Sequence, residues 1–195
     1  MKQEKADRRV RYTKLVLRES LLELMQEKSI SRITSTELCR RADINRNTFY
    51  AHYSNPEELL HSIQNELFEK VRQSVEHSWN NGSMPAFLAE VCQVIYDNRD
   101  LCKTLFSDYG DKDFLRRIVD LAHDKSIAEW KAAGMKDDAE QLELLYAFSV
   151  NGSVAVIRKW IQGSMAYTPK EIAFLIEKTT FTGLQSFFNS QKASH

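Results

Sequence analysis

The sequence predicts an all-α protein of about nine helices, with a head of three helices ahead of a larger helical domain. Three observations predict it. Apolar residues recur at three- and four-residue steps almost throughout, the period of a helix. Six Gly and three Pro among 195 residues leave little room for a turn-rich sandwich or barrel. The charge is also divided. The 27 basic and 27 acidic residues cancel overall, yet residues 1–56 hold 12 Lys/Arg against 7 Asp/Glu, a surplus of +5, and residues 57–195 hold 15 against 20, a deficit of −5. Such an asymmetry signals a basic binding element joined to something else. The boundary expected from charge and chain breaks separates residues 1–55 from residues 56–195.

Each element has a local cause. Residues 13–28 place Leu17, Leu21, Leu24 and Met25 on one face, with a start at Tyr12-Thr13 and a stop at Lys28-Ser29. Thr34-Ser35-Thr36-Glu37 reads as a capping box opening a short helix, in which the Thr34 hydroxyl accepts from the Glu37 N–H and the Glu37 carboxylate reaches back. Asp43-Ile44-Asn45 breaks that helix, and Asn45 caps a third over Arg46 to His52. Asn55-Pro56-Glu57-Glu58 opens a fourth that runs to about Trp79, with Pro at the first helical position. Later breaks fall at residues 80–85, 97–100, 107–111, 134–137 and 163–169. Asp137-Asp138-Ala139-Glu140 and Thr168-Pro169-Lys170-Glu171 are two further capping boxes.

Residues 34–53 are two short helices separated by about three residues, the helix-turn-helix arrangement whose second helix enters the major groove of DNA. On that second helix Phe49 and Tyr53 lie four apart and can anchor on Leu38 and Ile44. The opposite side shows Arg46, Asn47, Thr48, Tyr50 and Ala51. Arg pairs bidentately with guanine, Asn with adenine, and Thr or Ala methyls touch thymine. Tyr50, His52 and the hydroxyls of Thr13, Thr34, Ser35 and Thr36 suit phosphates, which position without specifying. The N-terminal run of Lys2, Lys5, Arg8, Arg9, Arg11 and Lys14 reads as an arm for phosphates or the minor groove. The bland alternatives are a wetted amphipathic helix and a solvated tail.

Residues 33–60, ITSTELCRRADINRNTFYAHYSNPEELL, resemble the helix-turn-helix signature of the TetR family of bacterial one-component transcription regulators. Ala42, Ile44, Arg46, Thr48, Phe49, Tyr50, His52, Tyr53, Glu57, Glu58 and Leu59 keep its pattern. With the first helix the match covers residues 12–60. Four positions depart from it. Asp43 stands where the family has Gly, Asn45 replaces Ser as cap, and Asn47 replaces a small residue. Pro56 replaces a Lys that contacts phosphate in the family. The resemblance implies a helix-turn-helix head on a larger helical ligand and dimerisation domain. It further implies a cytoplasmic homodimer on a palindromic double-stranded operator, most simply a repressor, released by an effector bound in residues 56–195.

The family's dimer is built from the last two long helices. Here the helix from about Asp138 to Gln162 lines up Leu142, Tyr146, Ser149, Ser153, Ile157 and Trp160, with Gly152 inside it. The last, from about Pro169 to Asn189, lines up Ile172, Leu175, Ile176, Thr179, Gly183, Leu184 and Phe187. A mid-helix Gly costs about 1 kcal/mol against Ala, which a close backbone approach would justify. These two stripes are the expected dimer face, the alternative being that both face their own core. Trp79, Phe87, Tyr96, Phe106, Tyr109, Trp130 and Phe148 are the candidate lining of an effector pocket, although aromatics at helical spacing more often form core. The effector itself, a small ligand or a protein partner, is left open.

Other classes lose support. Residues 1–5 are charged with no apolar run behind them, so no signal peptide is expected, and no apolar run approaches the ~18 residues of a membrane span. Cys39, Cys92 and Cys102 lack a C-x-x-C pair and read as buried free thiols. No Gly-rich phosphate loop, nucleophile elbow or metal-spaced His pair occurs, so neither enzyme activity nor a cofactor nor a metal is expected. The rival reading is an all-helical interaction protein without an operator.

Overall fold

The structure, a computed structural model, describes residues 2–81, 84–107, 114, 117–118, 120–132 and 138–192, with side chains described over 7–76, 84–107, 114, 117–118, 120–132 and 138–180. Among these residues there are nine α-helices and no strand. They are α1 (Lys2–Glu27), α2 (Ser35–Arg41), α3 (Arg46–Tyr50), α4 (Pro56–Asn81), α5 (Met84–Asp97), α6 (Arg99–Leu105), α7 (His123–Ala132), α8 (Ala139–Gln162) and α9 (Pro169–Lys192). A single 3₁₀ turn, Ile30–Arg32, links α1 to α2.

The first helix begins earlier than expected, at Lys2 rather than near Thr13. Residues 2–12 contain neither Gly nor Pro and are rich in Lys, Glu, Arg and Ala, the residues that lose least on entering a helix. Glu4 and Arg8, like Asp7 and Arg11, are spaced to pair along one turn. The expected arm, Lys2 to Lys14, is therefore the first half of α1. At the other end of the head α3 stops at Tyr50, two residues earlier than expected.

The chain forms two compact units, one of Met1–Leu67 with Lys103–Asp111, the other of Phe68–Cys102 with Lys112–His195. In the first, Leu17, Leu21, Leu24 and Met25 of α1 are buried with Leu38 of α2, Phe49 of α3 and Leu59, Ile63 and Leu67 of α4. Thr34 and Asn45 cap α2 and α3 as expected, accepting from Glu37 N at 3.2 Å and from Asn47 N at 2.8 Å. The Glu37 carboxylate is held chiefly by Lys28 Nζ at 2.7 Å and also accepts from the Thr34 backbone N–H, the other half of the box.

In the second unit α5 buries Phe87, Val91, Cys92 and Ile95 and packs along α9, which buries Ile172, Ala173 and Ile176. α8 packs on both α9 and α7, where Leu142 is buried against Ile127, Trp130 and Leu145. Asp138 caps α8 through Gln141 N at 3.1 Å, so the cap is Asp138 rather than Asp137, which lies outside the described residues. The box before α9 is complete: Glu171 N donates to Thr168 Oγ1 at 3.3 Å and Thr168 N to Glu171 Oε2 at 2.7 Å. All three cysteines are free and buried. Burial pushes the Cys92 and Cys102 thiols up to about 12, so neither supplies a reactive thiolate near neutral pH. No described helix is long and apolar enough to cross a membrane.

α7 and α8 are also tied by a histidine. His123 Nδ1 lies 2.9 Å from Asp124 Oδ1, its Nε2 lies 3.0 Å from Glu143 Oε1, and its ring meets Tyr146 edge-on at 4.6 Å. The hydrogen bonds to Asp124 and then to Glu143 raise its pKa above the ordinary 6.5. A raised folded-state pKa means stability fully present below the unfolded value and lost as pH rises through the folded one. His123→Gln should therefore lower the unfolding midpoint most near about pH 5.5 and least above about pH 8.5 in urea titrations. A destabilisation independent of pH would show that the imidazole acts only as a packing group.

Candidate nucleic-acid interface

The site is built on the turn between α2 and α3. Ala42 caps α2 and Asp43 follows with φ of 52°, the left-handed conformation that lets the chain reverse. Ile44 N then donates to Cys39 O at 3.0 Å and Asp43 N to Arg40 O at 3.4 Å, the paired bonds of a Schellman motif. Glycine is the usual residue here. Asp pays less than most others for φ above zero, which is why the turn survives the departure noted at position 43.

Phe49 decides which way α3 faces. Its side chain is 0% exposed and it touches Tyr53, itself buried, with ring centroids 6.1 Å apart. With Phe49 pointing inward, Arg46, Asn47, Tyr50 and Ala51 are exposed and Thr48 is half-buried. Tyr50 is 55% exposed, its ring set edge-on to Phe49 with centroids 5.3 Å apart. The start of α2 lies beside the start of α3: Arg46 Nη2 donates to Thr36 Oγ1 at 2.5 Å. Thr34 and Thr36 are exposed and Ser35 is half-buried, so the α2 hydroxyls and the α3 donors are presented together. His52 is half-buried beyond the end of α3. Arg9, Arg11 and Lys14 are exposed along α1.

One expected contact is corrected. Thr13 is 4% exposed, because α1 turns positions 13, 17, 20, 21 and 24 inward together. Its hydroxyl is a core group and does not face a phosphate.

The head's other charges hold its helices. Arg41 reaches Glu27 at 2.9 Å and Glu23 at 3.3 Å, Arg18 reaches Glu66 at 2.7 Å, and Lys28 reaches Glu37 at 2.7 Å. The Lys28 ammonium holds the Glu37 carboxyl below the ordinary carboxylate range. Exposed pairs of this kind contribute about 0–1 kcal/mol each, so they orient rather than fold. Among the described residues no group of three or more His, Cys, Asp or Glu could hold a metal ion.

In the second unit the expected interface and pocket residues are redistributed. Leu142, Tyr146, Ser149 and Trp160 of α8, with Ile172 and Ile176 of α9, are all buried within the chain. That stripe faces its own core, and Ser153 and Ile157 beside it are half-buried. Leu175, Gly152 and Thr179 of the expected face are exposed, Leu175 by 50%, and with them on the two helices stand three residues the stripes omitted: Leu144 is 66% exposed, Phe148 76% and Phe174 60%. Periodicity misses this because α8 has apolar residues on both faces; the signal was Leu144, Phe148 and Gly152 at four-residue steps. Among the described residues, and outside the helix's own backbone, no atom lies within 4 Å of where a Gly152 Cβ would stand. Gly183 and Phe187 lie on α9 outside the described side chains.

Phe148 of the expected pocket is among these exposed residues. Phe87 and Phe106 are buried. Tyr96 stacks on Trp160 with centroids 6.2 Å apart, and Trp130 packs beside Tyr146 at 6.3 Å. Phe87, Phe106 and Trp160 are core rings, and Tyr96 and Trp130 are half-buried. Trp79's side chain and Tyr109 lie outside the described residues. Two buried polar atoms of this unit, Glu90 Oε2 and Ser149 Oγ, have no hydrogen-bond partner.

Comparison with known proteins agrees with this geometry. Residues 17–63 match the family model described as bacterial regulatory proteins, tetR family, and residues 82–182 match a transcriptional regulator C-terminal region of the same series. An uncharacterized HTH-type transcriptional regulator of Bacillus subtilis (strain 168), YxbF, is 40% identical over 63 residues, 32% of this chain but 17% of that protein. The match thus spans about a sixth of that relative's length. The fold is similar to that of a TetR transcriptional regulator from Streptococcus agalactiae 2603V, with a TM-score of 0.64 and 21% identity over 91% of this chain and 98% of the other. It is also similar to the fatty acid degradation regulator FadR from Bacillus halodurans, with a TM-score of 0.64 and 10% identity over 88% and 96%. At these identities the solved structures establish the fold alone.

Strain at the turn is measurable. Asp43→Ala should destabilise the protein by about 1 kcal/mol, since Ala gains nothing from the left-handed backbone. Asp43→Gly should stay within about 0.5 kcal/mol of the parent, relief of strain offsetting the added freedom of the unfolded chain. An Ala variant more stable than the Gly variant in thermal melts would contradict the left-handed turn.

Proposed function

The chain belongs to the TetR family of bacterial regulatory proteins, and from that premise we propose that it is a dimeric, sequence-specific repressor released from its operator by an effector. Residues 1–55 form the DNA-binding domain in this reading, and residues 56–195 the regulatory and dimerisation domain, acting in the cytoplasm. The observation that carries it is the exposed set Arg46, Asn47 and Tyr50 on a short helix anchored by the buried Phe49. Arg46 and Asn47 supply the two side chains best matched to purine edges in the major groove. Thr34, Ser35, Tyr50 and His52 supply phosphate contacts, and Arg9, Arg11 and Lys14 add the sequence-independent share.

The dimer is supported by the open apolar side of α8 and α9. Leu144, Phe148, Phe174 and Leu175 are each at least half exposed on these two helices, and large apolar side chains left in water suit an interface. The same two helices from a second copy would cover them, giving a four-helix bundle about a two-fold axis, with Gly152 admitting a close neighbour. A two-fold dimer presents two recognition helices about 34–36 Å apart and reads a palindrome. An effector shifts the equilibrium only by binding the released state more tightly than the DNA-bound one.

The DNA reading is tested by titrating duplexes across a salt series. Affinity should fall steeply with salt. Arg46→Ala should lose about 1–3 kcal/mol with relaxed choice at one base pair, while Arg9→Ala weakens all sequences alike and flattens the salt slope by about one. Absence of duplex binding at low salt sinks it. The dimer is tested by Phe148→Glu, which should give monomers in sedimentation with helicity unchanged and operator affinity reduced; a persistent dimer would place the interface elsewhere.

A further inference from the structure

We infer that Thr36 is a positioning residue for base reading: its hydroxyl fixes the Arg46 guanidinium at the head of α3, so that Thr36 sets sequence specificity through Arg46 rather than by its own contact with DNA. The inference rests on the DNA-binding reading above.

The geometry is a bridge between two rigid points. Arg46 Nη2 donates to Thr36 Oγ1 at 2.5 Å, across ten residues of chain and the turn between α2 and α3. Thr36 is the second residue of α2, whose start is closed by the Thr34 hydroxyl. Arg46 is the first residue of α3, whose start is closed by Asn45. Both backbones are therefore set by their caps, and only the long arginine side chain is left to order. Ordering a rotamer-rich side chain at the moment of binding reduces affinity, and ordering it beforehand recovers that loss.

The chemistry of the acceptor matters as much as its place. Arg18 and Arg41 of the head are held by carboxylates, Glu66 for the first and Glu23 and Glu27 for the second. Arg46 is instead held by a neutral hydroxyl. A neutral acceptor fixes the guanidinium plane without cancelling its charge, which stays available to DNA. A guanidinium carries five N–H donors in one plane, so a single bond to Thr36 leaves four. A fork facing guanine O6 and N7 needs two of them. The Thr36 Oγ1, in accepting, keeps its own proton, so the pair adds a donor to the same surface. Thr36 and Arg46 are both exposed, so the bond forms where the duplex would lie.

The test uses the full-length protein, an operator recovered by selection from random duplexes, and the same duplex changed at the one base pair whose identity ceases to matter in Arg46→Ala. Thr36→Val keeps the β-branched shape and removes the hydroxyl; Thr36→Ser keeps the hydroxyl. Thr36→Val should weaken operator binding about two- to tenfold, the range expected for freeing one long side chain. It should leave the changed duplex nearly unaffected and add nothing to Arg46→Ala. Thr36→Ser should bind within about twofold of the parent and keep its base preference. Equal weakening on every duplex, with the full loss repeated in the Arg46→Ala background, would make Thr36 a phosphate contact and overturn the inference. Unchanged operator binding in Thr36→Val overturns it too, as does a loss in Thr36→Ser equal to that in Arg46→Ala. A parent protein without preference for any duplex would sink the DNA reading itself, a failure visible before any substitution is made.

Discussion

A helix of five residues cannot hold itself, since one turn costs more backbone freedom than its hydrogen bonds return. α3 exists because Phe49 is fully buried in the head. Burying such a ring is worth about 1.5–3 kcal/mol, enough to fix a single turn and no more. Everything the head presents follows from that anchor. With Phe49 inward, Arg46, Asn47 and Tyr50 have no direction left but outward. The left-handed residue at Asp43 and the Asn45 cap then set the angle at which α3 leaves α2.

The head's charges divide into two kinds by their partners. Arg18, Lys28 and Arg41 are spent on carboxylates that tie α1, α2 and α4 together. Arg9, Arg11 and Lys14 stand exposed on α1, and Arg46 leans on a neutral hydroxyl. A zero net charge over the whole chain thus conceals a basic surface plus an acidic remainder. The sum says nothing about partners; the distribution does.

In the second unit the same physics produces two apolar faces on one helix. The side of α8 carrying Leu142, Tyr146 and Trp160 is buried by the chain itself, and the side carrying Leu144 and Phe148 is left open. One face makes a folded unit and the other leaves large apolar side chains exposed. The aromatic residues pair within the unit, the half-buried Tyr96 stacking on the buried Trp160.

The sequence by itself determined the helical class, the helix starts at Thr34, Asn45 and Thr168, and the recognition helix with its outward Arg46 and Asn47. Those are local properties: a cap acts within one turn, and a five-residue helix with one buried ring has one exposed face. The extension of α1 to Lys2 was also written locally, in propensity, but was masked by reading a basic run as a tail. Tertiary structure alone decided the rest. It buried Thr13, gave the Glu37 carboxylate Lys28 as a further partner, and placed Thr36 against Arg46. It also chose which stripe of α8 lies inside. A helix with apolar residues on both faces is ambiguous at 3.6-residue spacing, and only the helices packed against it settle which face meets water.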